Sequence, residues 1–147
     1  PSGCPVTPST PTDMVAERPV PHILLAEDDG DDRTFFLEFL GDRPDITLLP
    51  MVTNGAEVLD YLRADCPAPD IIVLDQNMPK LSGTEALKAL KAADSFAAIP
   101  VVIYSTYVEP QLVDECLNLG AALVLPKPDS PEGYNEMMDA ILGAWGK

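Results

Sequence analysis

The sequence predicts an α/β domain built as a doubly wound (βα)5 sheet of five parallel strands. From His22 onward, short apolar runs alternate with longer stretches of helical period, the signature of repeated βα units. Three of the runs, ILLA, IIVL and VVIY, are apolar without alternation, as strands covered on both faces must be. A length of 147 residues with 46% hydrophobic and 22% charged residues is that of one ordinary globular domain.

Ahead of that pattern, Pro1 to Pro21 hold six of the sixteen prolines among Ser and Thr. They read as a flexible tail in extended conformations, with Met14 as a native start; the folded domain is expected over residues 22–147. Its first strand is placed at Ile23 to Ala26. A helix follows over Asp31 to Leu40, with Phe35, Phe36, Phe39 and Leu40 assigned to one face and Gly41 as a stop. The second strand is drawn over Ile46 to Val52, and the second helix, Ala56 to Arg63, follows the Asn54-Gly55 turn. The third strand is Ile71 to Leu74. Its helix spans Gly83 to Ala92, with Ala86, Leu87 and Leu90 at helical spacing and Ser82 as N-cap. After a fourth strand at Val101 to Tyr104, Pro110 opens a helix that runs to Leu119 and stops at Gly120. The fifth strand, Leu123 to Leu125, leads to Pro131 to Trp145, where Met137, Met138, Ile141, Leu142 and Trp145 form the apolar stripe.

Charge removes several function classes. Nine Lys and Arg against 24 Asp and Glu leave a net charge of -15, which repels phosphate backbones and anionic lipid. No direct nucleic-acid binding is expected. No apolar run reaches the roughly 18 residues a bilayer span needs, and no secretory signal pattern is present, so the chain reads as soluble and cytoplasmic. Cys4, Cys66 and Cys116 stand far apart, with His22 as the single histidine; neither a disulfide framework nor a zinc site is expected.

In a doubly wound sheet the ligand site lies at the carboxyl ends of the strands. After the first strand stand Glu27, Asp28 and Asp29; after the third, Asp75, Gln76 and Asn77; after the fourth, Ser105 and Thr106; after the fifth, Lys127 between two prolines. Gathering Glu27, Asp28 and Asp75 costs like-charge repulsion unless a cation joins them. The donors are all oxygens, which suits a hard ion such as Mg²⁺ and argues against zinc or copper. Lys127 supplies a positive charge opposite Asp75. An acidic triplet alone is commonly a solvated loop, and Ser105 alone reads equally as a helix N-cap, so the joint constellation carries the argument.

The segments ILLAEDD, IIVLDQNMPKLSG, VVIYST and LPKP, in this order, resemble the receiver domain of two-component response regulators, over about Pro21 to Trp145. The chain looks like a stand-alone CheY-like receiver. The run EDDGDD is similar to the subgroup found beside bacterial phytochrome histidine kinases. The resemblance implies the flavodoxin-like strand order 2-1-3-4-5 and an aspartyl phosphate formed on Asp75 from a kinase phosphohistidine. It implies that Asp28, Asp75 and the Asn77 backbone carbonyl bind Mg²⁺, with Glu27 acting through metal-bound water. Lys127 and Ser105, with Thr106 beside it, would contact the phosphoryl group, and Ser105 would draw its loop inward as the switch. Pro79 and Gly83 fit the family's turn after the acceptor.

Asn77 and Tyr107 stand where the family tunes hydrolysis, and a bulky Tyr107 is expected to shield the phosphoryl group. One departure is Val124, where the family carries a rotating Tyr or Phe. The resemblance also implies a sensor histidine kinase as partner and a homodimer face from the fourth helix, fifth strand and fifth helix, where Trp145 is either anchor or core. Two rivals stay in view. A phosphohydrolase with an aspartyl-phosphate intermediate would carry a second aspartate where this chain has Asn77, and a phosphorylation-independent pseudo-receiver would lack one of the residues present here. A flavodoxin-like cofactor carrier lacks its phosphate loop after the first strand.

Overall fold

The structure, a computed structural model, describes residues 20–64, 68–78 and 81–145. Most of the proline-rich segment, with Met14 and Cys4, lies outside the described residues, as do Cys66, Pro79 and Lys80. Elements alternate without exception: β1 (His22–Ala26), α1 (Gly30–Leu40), β2 (Thr47–Leu48), α2 (Gly55–Arg63), β3 (Ile71–Asp75), α3 (Gly83–Ala92), β4 (Val101–Ser105), α4 (Pro110–Asn118), β5 (Leu123–Pro126) and α5 (Pro131–Trp145). The five strands form one parallel sheet in the order β2-β1-β3-β4-β5, the order the resemblance implies.

Strand periodicity divides the core in two. Leu24, Ile72, Leu74, Val101 and Ile103 pack with Val58, Leu87, Leu90 and Cys116 from α2, α3 and α4. Ile23, Leu25, Ile71, Val73 and Val102 pack with Phe36 and Leu40 of α1 and Met137, Met138 and Ile141 of α5. The central strands β3 and β4 are buried at every residue, which is why their sequences carry no polar alternation.

The helix ends follow from their capping residues. Asn54 accepts from the Glu57 amide to start α2. Ser82 and Glu85 form a reciprocal capping box on α3. Past the end of α4, Gly120 takes φ 107°, a conformation glycine adopts without strain.

Two sequence expectations are corrected, and one alternative reading, of Ser105 as a cap, is removed. β2 is two residues long, shorter than the span Ile46 to Val52. The Thr47 and Leu49 amides donate to the Pro21 and Ile23 carbonyls, but the next bond to β1 comes from Val52 to Leu25, so Pro50, which has no N–H, sits in a one-residue bulge. Phe35 does not share the core face: it is 42% exposed and stacks on half-buried Phe39, while Phe36 and Leu40 are buried. Ser105 is not the cap of α4, because Glu109 occupies that position without a side-chain capping bond.

Candidate functional site

Side chains alternate across a strand with period two, and this fixes the site. Leu25, Val73, Val102 and Leu125 all face α1 and α5. Two residues further along each strand direction stand Glu27, Asp75, Tyr104 and Lys127, so all four reach the same side of the sheet at its carboxyl edge. Register aligns them: Asp75 pairs with Tyr104, and Tyr104 with Leu125.

Carboxylate oxygens of Glu27, Asp28 and Asp75 lie within 4.8 Å of one another. Glu27 and Asp75 are buried, and Asp28 faces solvent. Lys127 reaches into the cluster, its Nζ 3.2 Å from Glu27 Oε1, 3.2 Å from Asp75 Oδ1 and 3.0 Å from Asp32 Oδ2. The Asn77 amide donates to Asp75 Oδ1 at 3.2 Å and the Asp29 amide to Glu27 Oε2 at 3.0 Å. The Tyr104 hydroxyl donates to Glu27 Oε1 at 2.5 Å, and the Lys127 ammonium stands 5.2 Å from the centre of the Tyr104 ring.

Local sequence explains this arrangement. Asp29 caps α1 by accepting from the Asp31 and Asp32 amides, which swings Asp32 in the first turn toward Lys127. Arg33 anchors the same turn by donating to the Glu27 carbonyl at 2.8 Å. Beyond β3, Gln76 ties the strand end to α3, its Oε1 accepting from the Thr84 amide and hydroxyl.

The electrostatics have definite signs. Burial, then the hydrogen bond and charge of Glu27, push the Asp75 carboxyl up to about 7, against the lowering effect of Lys127 and the Asn77 amide. Burial would lower the Lys127 ammonium, but the Asp32 hydrogen bond and the charges of Glu27 and Asp75 outweigh it and hold Lys127 above the ordinary lysine range. Burial and the neighbouring Glu27 charge hold the Tyr104 phenol far above its ordinary value, so it remains a donor. A cluster with one ammonium among several carboxylates, made of oxygen donors alone, fits a hard divalent cation.

Glu27, Asp28, Asp75 and Lys127 are thus brought together as the sequence suggests. Ser105 is buried at the end of β4, and its Oγ accepts the Tyr107 amide at 3.3 Å. Thr106 and Asn77 are exposed, and the Tyr107 side chain is 76% exposed, so in this conformation its ring stands in solvent. Val124 packs against the core on the opposite side of the sheet. His22 pairs with Asp70 at the other end of β1, and Cys116 is buried as a free thiol. Trp145 packs against the α1 and α5 side of the core. Sequence reading missed two participants, Asp32 and Tyr104. The signal for Tyr104 was its position two residues after Val102, on the parity of Asp75.

The family profile described as the response regulator receiver domain matches residues 23–139. The chain belongs to this family. Among curated proteins, the domain is similar to two-component response regulator ORR11 of Oryza sativa subsp. indica, 31% identical over 122 residues, covering 83% of this chain and 81% of that protein. It is 34% identical over 110 residues to the protein-glutamate methylesterase/protein-glutamine glutaminase of Nitrosospira multiformis, covering 73% of this chain and 30% of the methylesterase. The receiver domain therefore spans about a third of the length of the methylesterases it matches. Among solved structures it resembles the Mn²⁺-bound form of response regulator Rcp1, at 27% identity and TM-score 0.73, covering 85% of this chain and 94% of that one. It also resembles the phosphorylated cyanobacterial phytochrome response regulator RcpA, at 25% identity and TM-score 0.74, covering 86% and 94%.

Proposed function

We propose that this receiver domain accepts a phosphoryl group on Asp75 from the phosphohistidine of a sensor histidine kinase. The observation that carries the reading is the convergence of Glu27, Asp28 and Asp75 within 4.8 Å, with Lys127 at 3.2 Å from the acceptor. In the transfer, the nitrogen–phosphorus bond of the donor breaks as an Asp75 carboxylate oxygen bonds to phosphorus, and the histidine leaves with the electron pair. Phosphoryl transfer asks the protein mainly for positioning and charge neutralisation.

Asp28 and Asp75, with the Asn77 carbonyl, would hold Mg²⁺ directly, and Glu27 would support it through water. When bound, the ion neutralises charge on the phosphoryl oxygens. Lys127, held protonated by its acidic neighbours, supplies the second positive charge. Ser105 Oγ already accepts the Tyr107 amide, so its own proton is available to a phosphoryl oxygen, with Thr106 alongside. Closing that hydrogen bond draws the loop after β4 inward and carries Tyr107 toward the acceptor, where its ring would shield the aspartyl phosphate. With Val124 in place of a rotating aromatic, loop movement and subunit contacts carry the output.

The similarity to RcpA and the run EDDGDD support a kinase of the phytochrome class as donor. The half-exposed β5 residues support a homodimer through α4, β5 and α5. The receiver family supports a cytoplasmic signalling protein; no described helix is long and apolar enough to cross a membrane, and the charge of -15 disfavours nucleic acid. Asn77 in place of a second aspartate supports a phosphoacceptor with slow self-dephosphorylation rather than a turning-over phosphohydrolase.

A small acyl phosphate should label the protein only with Mg²⁺ present, at one phosphoryl per chain, and Asp75→Asn should abolish the labelling with the fold intact. Labelling retained elsewhere in that variant overturns the acceptor assignment. Absence of labelling in the parent favours the pseudo-receiver, and continuous release of phosphate favours the hydrolase.

A further inference from the structure

We propose that Tyr104 is a positioning residue of the acidic pocket, holding the Glu27 carboxylate in place whether or not the phosphoryl site is engaged. The inference rests on the Mg²⁺-dependent phosphoacceptor reading above and adds a residue to it. A glutamate at the first acidic position has one more rotatable bond than an aspartate, and Glu27 is fully buried, so its carboxylate needs fixed donors to keep one orientation.

Three donors reach it: the Tyr104 hydroxyl at 2.5 Å, the Asp29 amide at 3.0 Å and Lys127 at 3.2 Å. Lys127 is the donor with other partners. It is shared with Asp32 and Asp75, and in the proposed transfer it is needed by the phosphoryl oxygens. Once it turns to them, Glu27 keeps the phenol on one oxygen and the amide on the other.

Tyr104 is built for that task. It is fully buried, and Phe36 packs edge-on against its ring at 6.4 Å and 78°, so α1 holds the ring in place from the side facing β4. In register with Asp75 on the neighbouring strand, it extends across β3 to the glutamate following β1. The ring beneath the hydroxyl lies 5.2 Å from the Lys127 ammonium, a separation at which a cation is attracted to an aromatic face. One side chain therefore contacts both charged groups that flank the acceptor.

The test is a double-mutant cycle read by calorimetric Mg²⁺ titration of the intact protein. Tyr104→Phe keeps the ring and its packing and removes only the hydroxyl; it should weaken Mg²⁺ binding by about five- to tenfold, at or below the low end of what losing an outer-shell partner costs, because it orients a carboxylate that supports the ion through water. Glu27→Asp shortens the side chain out of reach of the phenol, and adding Tyr104→Phe to it should change affinity less than about twofold. An equal loss in both backgrounds shows a packing effect and overturns the proposal, as does an unchanged Tyr104→Phe affinity.

A parent protein that binds no Mg²⁺ overturns the functional reading instead. A second readout needs no variant at the pocket. The ¹³Cζ resonance of Tyr104 in tyrosine-labelled parent protein should keep its hydrogen-bonded position on Mg²⁺ addition, and again on adding beryllofluoride. Movement to the position of a solvated phenol in either step overturns the proposal.

Discussion

Asp75 and Lys127 bring opposite charges into one buried corner, and removing either has opposite consequences for stability. The Asp75 carboxyl is raised from 3.8 to about 7, chiefly by burial and by Glu27. A carboxyl raised by folding binds its proton more tightly in the folded chain. Its contribution to stability is therefore complete below 3.8 and is lost as pH rises through about 7. In chelator-treated protein, Asp75→Asn should gain stability on the parent as pH rises from 5 to 8, by on the order of 2 kcal/mol; a pH-independent difference in denaturant midpoints refutes this. Lys127→Ala runs the other way, because it leaves Glu27 and Asp75 facing each other without a counter-charge. A loss of about 3 kcal/mol is expected under chelation. Mg²⁺ should restore more stability to Lys127→Ala than it adds to the parent, since the ion replaces the missing charge; equal Mg²⁺ effects on the two melting curves count against a shared site.

At the scale of elements, the acceptor is placed by how closely α3 approaches the end of β3. A Cβ built on Gly83 would lie 2.7 Å from the Asp75 carbonyl oxygen and 3.0 Å from Gln76 Cα, both backbone atoms that yield only if the strand end moves. Gly83→Ala should therefore cost about 1 to 3 kcal/mol and also weaken Mg²⁺ binding, because Asp75 moves with its carbonyl. Gly143 is the control, for a Cβ there meets nothing within 4 Å. In the exposed helix interior, Gly143→Ala should be neutral or stabilise by up to about 1 kcal/mol and leave Mg²⁺ binding unchanged. Matching urea midpoints for the two variants would mean that the close approach at Gly83 is without consequence. The same reasoning explains which elements could be drawn from sequence. Asn54, Ser82 and Pro110 act locally, on the first turn of their own helices, so a reader of the chain sees them. The bulge at Pro50 depends on which β1 carbonyls need donors, and the exposure of Phe35 depends on the direction from which the sheet meets α1; both are tertiary facts.

For the whole molecule, the legible part of the site is the part set by strand ends. Glu27, Asp75 and Lys127 each follow an apolar run, and a parallel sheet gathers the ends of such runs on one edge. Tyr104 has the right parity on its strand, but its alignment with Asp75 needs the register between β3 and β4, and the approach of Asp32 needs the rotation of α1. The sheet also leaves two edges, which differ. β2 is two residues long and interrupted at Pro50, a blunted edge of the kind that avoids pairing with other chains. β5 is a regular edge of four residues whose Leu123, Val124 and Leu125 are only half-buried, and α5 flanks it with Trp145 partly uncovered. Self-association is therefore expected through β5 and its flanking helices rather than β2. Sedimentation should shift toward a dimer with rising concentration, Trp145 emission should change over the same range, and Leu117→Lys, at a residue of α4 that is 47% exposed, should abolish both while Thr47→Lys on the β2 edge leaves both intact. A monomer with constant Trp145 emission at all concentrations would assign the indole to the monomer's own core and remove the dimer from the proposed output.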